Sequence, residues 1–235
     1  PAHDRPGFSL GEFILALRAI WACWETGDKL DFNGEFYQHN LMTPMFVPAR
    51  KDHGAPGVNL AAVGPLMTEV AAEVADGMIA HGFTTPRYLQ DVTLPAVARG
   101  LAKAGRRRDD FTIQAPVMVV SGIDEAAFAR SLQAVKAQLA FYASTPAYRP
   151  VLELHGWGEL QDEANQLTRE GRWQQMAELI DDRILHTFAI VSEHLGAVPG
   201  LLKERYGALI DTWQCTVETE NSDIQSALVA GVQAA

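Results

Sequence analysis

Apolar residues recur along the chain in two alternating patterns, one typical of helices and one typical of buried strands. From Phe13 to Trp24 they recur every three or four residues, which predicts an amphipathic helix over about 10–25. Further along, short apolar runs bounded by glycine alternate with longer helical patterns. Such alternation is typical of βα units, in which helices connect parallel strands.

The predicted strands are short, and they span about 58–63, 78–80, 111–120, 187–191 and 209–215. The further predicted helices span about 66–74, 87–104, 125–142, 195–206 and 226–232, with Asp124 as a cap of the third. A hairpin turn is predicted at 31–37, where Asn33-Gly34 lies between aromatic residues. The segment 144–181 breaks the alternation and is too long for an ordinary loop.

Parallel strands need cover on both faces, so the candidates are a doubly wound α/β sheet and part of a (β/α)8 barrel of the TIM type. The short βα turns and the insertion before a late strand favour the barrel. A full barrel has eight strands in about 250 residues, and this chain is three or four strands short. We therefore predict an incomplete barrel, and the start without methionine leads us to expect an upstream portion.

Composition and charge exclude several partners. The 235 residues carry a net charge of -10, and no basic patch is large enough for a nucleic acid. No apolar run approaches the roughly 18–20 residues that span a bilayer, so we expect no membrane contact and a cytoplasmic location. Cys23 and Cys215 form no disulfide or metal spacing, and no metal site is predicted near the histidines.

The turn after the first buried strand is the first candidate site. Gly64-Pro65 begins a helix, and the backbone N–H groups of Gly64 and of Leu66 or Met67 are free to hold an anion. This pattern predicts the binding of a cofactor that carries a phosphate. The alternative is an ordinary βα turn with proline at the first helical position.

Small residues accompany this turn. Ala61 and Ala62 end the strand, where short side chains allow a planar ring or a ribityl chain to approach closely. Asp76-Gly77 precedes the next strand, and we interpret it as a turn in which Gly77 takes a positive φ value.

Polar and aromatic residues at strand ends and in the insertion are the second candidate site. His81 directly follows the strand 78–80, where it can bind substrate or transfer a proton, or else hydrogen-bond a neighbouring loop. Arg87 is a candidate partner for an anionic group or an ordinary surface residue. The insertion contributes aromatic rings that form either a wall of the substrate pocket or a small separate core: Tyr142, Tyr148, His155 and Trp157.

Taken in order, several motifs resemble the luciferase-like monooxygenase superfamily, and in particular its subgroup that depends on the deazaflavin coenzyme F-420. The motifs are Phe36-Tyr37, 41–44, 60–65, 73–77, 141–148 and 154–158. The resemblance implies a (β/α)8 barrel with the cofactor at the carboxyl ends of its strands. It also implies that this chain supplies about strands 5–8 as one domain over 1–235, with an insertion at about 144–181 and a divergent tail at about 212–235.

The implied reaction is hydride transfer between coenzyme F-420 and a small organic substrate. FMN with a monooxygenase reaction is the alternative, because both cofactors carry a phosphate beyond a ribityl chain. Since strands 1–4 carry much of the family's ring contact, a second alternative is a non-catalytic half barrel. We accordingly expect a homo-oligomer or pairing with a missing N-terminal half.

Overall fold

The computed structural model of the protein describes residues 6–49, 53–214 and 222–234. These residues form two compact units. The first contains the described residues of 1–79 and 92–113, and the second contains those of 80–91 and 114–235. Each unit combines helices with short strands.

The described helices follow one another along the chain as α1 (Pro6–Thr26), α2 (Gly64–Val74), α3 (Pro86–Tyr88), α4 (Leu94–Lys103), α5 (Glu125–Ala143), α6 (Arg149–Leu154), α7 (Gly158–Arg169), α8 (Trp173–Met176), α9 (Asp182–Phe188), α10 (Val198–Tyr206) and α11 (Ser222–Ala234). The described strands are β1 (Phe32–Asn33), β2 (Gln38–His39), β3 (Asn59–Ala62), β4 (Gly77–Ala80), β5 (Thr112–Pro116), β6 (Met118–Val120), β7 (Ala189–Val191) and β8 (Thr212–Gln214). Among the described residues, no helix is both long and apolar enough to cross a membrane.

The first unit has a sheet in which β3 neighbours β4, and β4 neighbours the start of β5. Helices α2 and α4 pack against each other through small and apolar side chains, among them Ala71, Ala72 and Val97, which are at most 1% exposed. Gly100 of α4 lies in this contact: a Cβ added there would meet the Glu69 carbonyl oxygen at 2.2 Å. The close approach of the two helices therefore requires glycine.

The predicted hairpin is confirmed, and α1 holds it in place. Strands β1 and β2 pair in the antiparallel direction. The carboxylate of Glu12 in α1 accepts hydrogen bonds from the backbone N–H groups of Glu35, Phe36 and Tyr37. Desolvation opposes the charged carboxylate, but these three N–H donors outweigh it and lower the pKa of Glu12.

The turn before β4 is organised by Asp76. Its carboxylate accepts the N–H of Val58 over 2.7 Å and pairs with Arg18 over 2.9 Å. Gly77 does not have the positive φ value predicted from the sequence, so that prediction is wrong. Glycine is required there because an added Cβ would lie 2.2 Å from Asn59 Oδ1 and 2.6 Å from the Thr112 carbonyl oxygen.

Replacing Asp76 by asparagine should lower the free energy of unfolding by about 1 kcal/mol near neutral pH, because the ion pair with Arg18 is partly exposed and screened. Desolvation raises the pKa of Asp76, but the hydrogen bond from Val58 and the ion pair with Arg18 lower it by more, so the net shift is downward. The stabilisation from Asp76 is therefore fully present at pH values above the pKa that Asp76 has in the unfolded chain. It is lost as the pH falls through the lower pKa that Asp76 has in the folded protein.

Urea denaturation of both proteins at about pH 7 and about pH 3 measures this difference, which should shrink at the lower pH. Asp91→Asn is the control, because Asp91 forms an exposed ion pair with Arg87 and should contribute much less. A difference for Asp76→Asn that is the same at both pH values would contradict this account.

The second unit contains two parallel strand pairs. The end of β5 pairs with β8 through Ala115 and Trp213, and β6 pairs with β7 through Val119 and Ile190. Helices α5 to α9 follow one another between β6 and β7, and the segment 144–181 contains α6, α7 and α8. The most deeply buried side chains of this unit include Leu139, Leu152, Leu185 and Leu202.

Three predicted elements differ from the structure. The predicted strand 111–120 is two strands, β5 and β6, because its first part pairs with β8 and its second part pairs with β7. Residues 187–188 end helix α9, and the strand begins at Ala189. The predicted helix 87–104 is interrupted by a π turn at Leu89–Thr93, since Pro95 cannot donate the usual helical hydrogen bond.

The other predicted elements are confirmed to within a few residues. The helix predicted at 10–25 is α1, the helix predicted at 66–74 is α2, and Asp124 caps α5 by accepting the N–H of Ala127 over 2.7 Å. The last predicted strand is β8, while Cys215 lies outside the described residues.

Candidate active site

The turn between β3 and α2 owes its shape to Gly64. Val63 is extended, and Gly64 then takes a φ of 75°, a backbone angle that residues with a side chain rarely adopt. An added Cβ on Gly64 would meet nothing within 4 Å, so the backbone angle and not crowding requires glycine. The hydroxyl of Thr68 donates to the Gly64 carbonyl over 2.9 Å and fixes the turn.

The surface of this turn suits an anion. Helix α2 starts here with Pro65 in its first turn and no acidic residue beside it, and Leu66 is 61% exposed. The first N–H groups of a helix have no acceptor within the helix, and the helix dipole adds positive potential. The open space above Gly64 therefore fits a phosphate group.

The neighbouring small residues differ in accessibility. Ala61 is exposed, whereas Ala62 is 4% exposed and belongs to the core of the first unit. Met67 is half-buried. Of the two alanines, Ala61 is the one whose surface a cofactor chain can approach.

His81, in the second unit, is held by a hydrogen bond on each ring nitrogen. Its Nδ1 accepts the backbone N–H of Phe83 over 3.0 Å, and its Nε2 lies 3.1 Å from the Tyr148 hydroxyl. A nitrogen that accepts a hydrogen bond carries no proton, so neutral His81 has its proton on Nε2. The Nε2–H group therefore donates to the oxygen of Tyr148.

Burial favours this neutral form. It lowers the pKa of His81, because the charged imidazolium loses water when it is enclosed by aromatic rings. The bond from Phe83 acts in the same direction, since an imidazolium has a hydrogen on Nδ1 and cannot accept the Phe83 N–H. His81 is thus a neutral hydrogen-bond donor near neutral pH.

Aromatic rings enclose His81. Tyr148 stacks on it with ring centres 4.3 Å apart, and Tyr142 meets it edge-on at 4.7 Å. Phe83 lies beneath, only 2% exposed, and stacks on Phe188 at 4.5 Å. We call these five residues the His81 cluster. Its two tyrosines and the histidine are half-buried, so their polar atoms lie where an apolar surface meets solvent.

The insertion positions Tyr148 through a hydrogen-bonded framework. The carbonyl of Ser144, at the end of α5, accepts the side-chain amide of Asn165 over 2.9 Å. Pro146 starts the short 3-10 turn that contains Tyr148. The next residue, Arg149, donates to Asp162 over 2.9 Å. These bonds tie the segment around Tyr148 to helix α7.

A second histidine extends the cluster. Thr85 is fully buried; its hydroxyl accepts the N–H of Tyr88 and lies 2.9 Å from His155 Nε2. His155 stacks on Trp157 at 5.0 Å, and the Arg183 guanidinium lies 5.4 Å from the Trp157 ring. Burial is the main reason that the pKa of His155 is lowered, with the positive charges of Arg87 and Arg183 contributing.

The structure brings together most of the residues predicted for the substrate pocket. His81, Tyr142 and Tyr148 are in direct contact, and Trp157 joins them through Phe188 at 6.5 Å. Arg87 lies at the surface, 58% exposed, and pairs with Asp91 over 3.4 Å. The residues that were predicted to bind the cofactor lie within 61–67 and belong to the first unit.

Sequence patterns did not reveal several members of this region. Phe83 and Phe188 supply its buried floor, and Thr85 and Arg183 fix the His155–Trp157 stack. The Thr85-Pro86 pair is a helix-start signal that could have identified Thr85 as a cap. The sequence pattern placed Phe188 in a predicted strand, so the direction of its side chain could not be inferred. Among the described residues, no group of three or more metal-ligating side chains is present.

Comparison with known sequences identifies relatives. The family model described as luciferase-like monooxygenase matches residues 2–211. An uncharacterized protein of Mycobacterium tuberculosis strain H37Rv is 47% identical over 206 residues, which are 88% of this chain and 60% of that protein. The F420-dependent glucose-6-phosphate dehydrogenase of Nocardia farcinica is 37% identical over 102 residues, 43% of this chain and 28% of that enzyme. The chain thus spans 60% or less of these relatives' lengths.

Solved structures confirm the fold class. The coenzyme F420 dependent tetrahydromethanopterin reductase from Methanopyrus kandleri superposes with a TM-score of 0.67 and 22% identity, over 91% of this chain and 59% of that one. An F420-dependent secondary alcohol dehydrogenase superposes with a TM-score of 0.60 and 15% identity, over 93% and 60%. The α/β fold is therefore that of a TIM-type barrel, of which this chain spans a part.

Proposed function

Because the chain belongs to the luciferase-like monooxygenase family, we propose that it forms part of an oxidoreductase that uses the deazaflavin coenzyme F420. The observation that carries the proposal is the Gly64 turn, where a positive φ, an open surface and the start of α2 coincide. The similarity to the F420-dependent glucose-6-phosphate dehydrogenase of Nocardia farcinica supports the choice of cofactor.

In this proposal, the N–H groups of Gly64, Leu66 and Met67 hold the phosphate of the cofactor, while Pro65 sets the direction of the helix. Ala61 leaves room for the chain that connects the phosphate to the ring. When bound, the deazaflavin accepts or donates a hydride; the protein binds, orients and shields it.

The His81 cluster is proposed to receive a small organic substrate. Its half-buried rings, with Trp157 beside them, offer an apolar wall, and the polar atoms of His81 and Tyr148 offer hydrogen bonds. Arg87 is exposed and belongs to the outer edge of this region in the proposal, where its charge favours substrates with an anionic end.

An FMN-dependent monooxygenase is the second candidate, because the family to which the chain belongs is that of the luciferase-like monooxygenases. FMN also ends in a phosphate, so the Gly64 turn suits both cofactors. A fluorescence titration with F420 and with FMN separates the two. Saturable binding of F420 is expected; binding of FMN alone would favour the monooxygenase.

Gly64→Asp should weaken cofactor binding about tenfold or more, because it places a carboxylate beside the phosphate. Gly105→Asp is the matched control: Gly105 also has a positive φ, 65°, and open space for a Cβ, but it follows the end of α4. Both variants therefore carry the same type of backbone strain. An affinity that Gly64→Asp leaves unchanged, or that both variants reduce equally, would contradict the anion site.

We further propose that the first unit associates with a second polypeptide segment, either an upstream portion of the same protein or a second copy. Large apolar side chains are exposed on this unit, and the most exposed are Leu41, Met45, Phe46 and Leu66, at 61–84%. Such surfaces are typical of association sites. A monomer in gel filtration that also binds no apolar dye would contradict this proposal.

A further inference from the structure

We propose that a pocket at the end of helix α1 binds a small organic cation, namely an ammonium group that carries alkyl substituents. The pocket lies within the first unit and has a volume of about 200 Å³. We call it the α1 pocket, and it is lined by Trp21, Trp24 and Glu25 of α1 and by the loop residues Pro48 and 54–56. None of these belongs to the Gly64 turn or to the His81 cluster, so binding in the α1 pocket does not depend on the proposed function.

The helical side of the α1 pocket follows from residue spacing. Trp24 and Glu25 lie three and four positions after Trp21, and side chains with this spacing share one face of a helix. Both indole rings are partly exposed, and Glu25 is exposed. The end of α1 therefore presents two aromatic rings and a carboxylate side by side.

The loop side of the α1 pocket is uncharged in its described residues. Pro48 and Pro56 have no N–H group, and glycine and alanine lie at 54 and 55. Gly54 has a φ of 67°, and a Cβ built on it would lie 3.7 Å from Oε1 of Glu25. Residues 50–52 of this loop lie outside the described part of the chain. The carboxylate of Glu25 thus lies beside an apolar wall.

Glu25 also lies at the unfavourable end of its helix. The last carbonyl groups of a helix have no partner within it, and they give that end a negative potential that repels a carboxylate. The last turn of α1 contains no basic residue. Within the part of the chain that the structure describes, no side chain forms an ion pair with Glu25. A cation bound beside Glu25 would offset this repulsion.

The two tryptophans add a second attraction for a cation. A positive group within about 6 Å of an indole ring is attracted by its π electrons. Trp157 has such a partner in the protein itself, because the Arg183 guanidinium lies 5.4 Å from its ring. Among the described residues, no arginine or lysine lies over Trp21 or Trp24 in this way. Their rings are therefore available to a cation from solvent.

The lining of the α1 pocket selects the type of cation. Metal ions take several oxygen or nitrogen ligands, and this pocket offers one carboxylate. A primary ammonium or a guanidinium has three or five N–H donors to satisfy. An alkylated ammonium has few donors or none, and its alkyl groups can contact indole and proline rings. The volume is below the roughly 300–1,000 Å³ that is typical of pockets for drug-sized ligands, so a small cation fits best.

Choline is the probe for this site, and its neutral analogue 3,3-dimethylbutan-1-ol is the control, because carbon replaces the charged nitrogen in the same shape. A titration of the full chain, followed by tryptophan fluorescence at constant ionic strength, should show saturable binding of choline with a Kd of about 1 mM. The neutral analogue should bind about tenfold more weakly or less. Equal affinities for the two compounds, or no binding of choline, would overturn the proposal.

The contribution of the carboxylate is tested by Glu25→Gln. This variant should weaken choline binding about three- to tenfold, and the exposed position should leave the fold intact. Glu204→Gln is the matched control, because Glu204 is also exposed and lies in the last turn of helix α10 but does not line the pocket. Unchanged affinity in Glu25→Gln, or an equal loss in both variants, would overturn the proposal.

The position of the bound cation is measured by NMR of the full chain with ¹⁵N-labelled tryptophan. Of the five indole N–H signals, those of Trp21 and Trp24 are identified by their loss in Trp21→Phe and Trp24→Phe. Choline should shift these two signals and leave that of Trp157 in place. Trp21→Leu, which removes the aromatic ring, should lower the affinity about tenfold, and Trp21→Phe should lower it less. Shifts confined to the other tryptophans would place the cation elsewhere and overturn the proposal.

Discussion

Gly100→Ala should lower the free energy of unfolding by about 3 kcal/mol, because the new methyl group would lie 2.2 Å from the Glu69 carbonyl oxygen and 2.8 Å from the Ala72 Cβ. The obstacle at 2.2 Å is backbone, so no side-chain rotation can remove it. Helices α2 and α4 would have to move apart, and the pairs of Glu69 with Arg99 and Lys103 would be strained with them. Urea denaturation followed by circular dichroism measures the change.

The matched control is Gly200→Ala, which is also a glycine-to-alanine change inside a helix. A Cβ on Gly200 in α10 would meet nothing within 4 Å. Alanine should therefore stabilise the protein there by roughly 0.5–1 kcal/mol, through its higher helix propensity. The two substitutions are expected to have opposite signs. A Gly100→Ala protein as stable as the original would show that α2 and α4 are not packed this closely.

Phe83→Ala should destabilise the second unit by about 3–5 kcal/mol, the usual range for removing a buried phenylalanine ring. Phe83 is 2% exposed, stacks on Phe188 at 4.5 Å and supports both Tyr142 and Tyr148. The change leaves a cavity beneath His81 and frees the rings above it. We therefore expect a loss of stability together with broadened NMR signals from the His81 ring.

Two further variants test the origin of this effect. Phe83→Leu should cost about 1 kcal/mol, since it keeps the site apolar and most of its volume. Phe141→Ala removes the same ring from a position that is 51% exposed, and it should change stability by less than about 1 kcal/mol. If Phe141→Ala proved as harmful as Phe83→Ala, burial would not explain the result.

The order of helices and strands was predictable, because it depends on patterns within short windows. The apolar spacing in α1 and the cap at Asp124 are local signals, and both agree with the structure. Strand 111–120 was predicted as one element because its apolar run is continuous. Its division at Pro116 depends on which strands lie beside it, and that information is not local.

Some residues of the candidate site were singled out from the sequence, but their contacts were not predictable. His81 and Tyr148 were both singled out, but they are 67 positions apart in the chain, and no spacing rule connects them. The Thr85–His155 contact joins residues 70 positions apart and was missed. Gly77 shows the same limit, because its reason for being glycine lies in Asn59 and Thr112 rather than in its own φ angle.

The division of the predicted strand at Pro116 has a consequence for how the protein folds during synthesis. Strand β5 pairs with β8, about 100 residues later, and β6 pairs with β7, about 70 residues later. Strand β6 therefore cannot complete its pairing until residue 191 has left the ribosome, and β5 cannot do so until residue 214 has left it. Contacts of such long sequence separation form slowly and leave strand edges open meanwhile. Release of the chain before residue 214 would leave β5 without β8 on one of its edges, so the second unit should depend more on chaperones than the first.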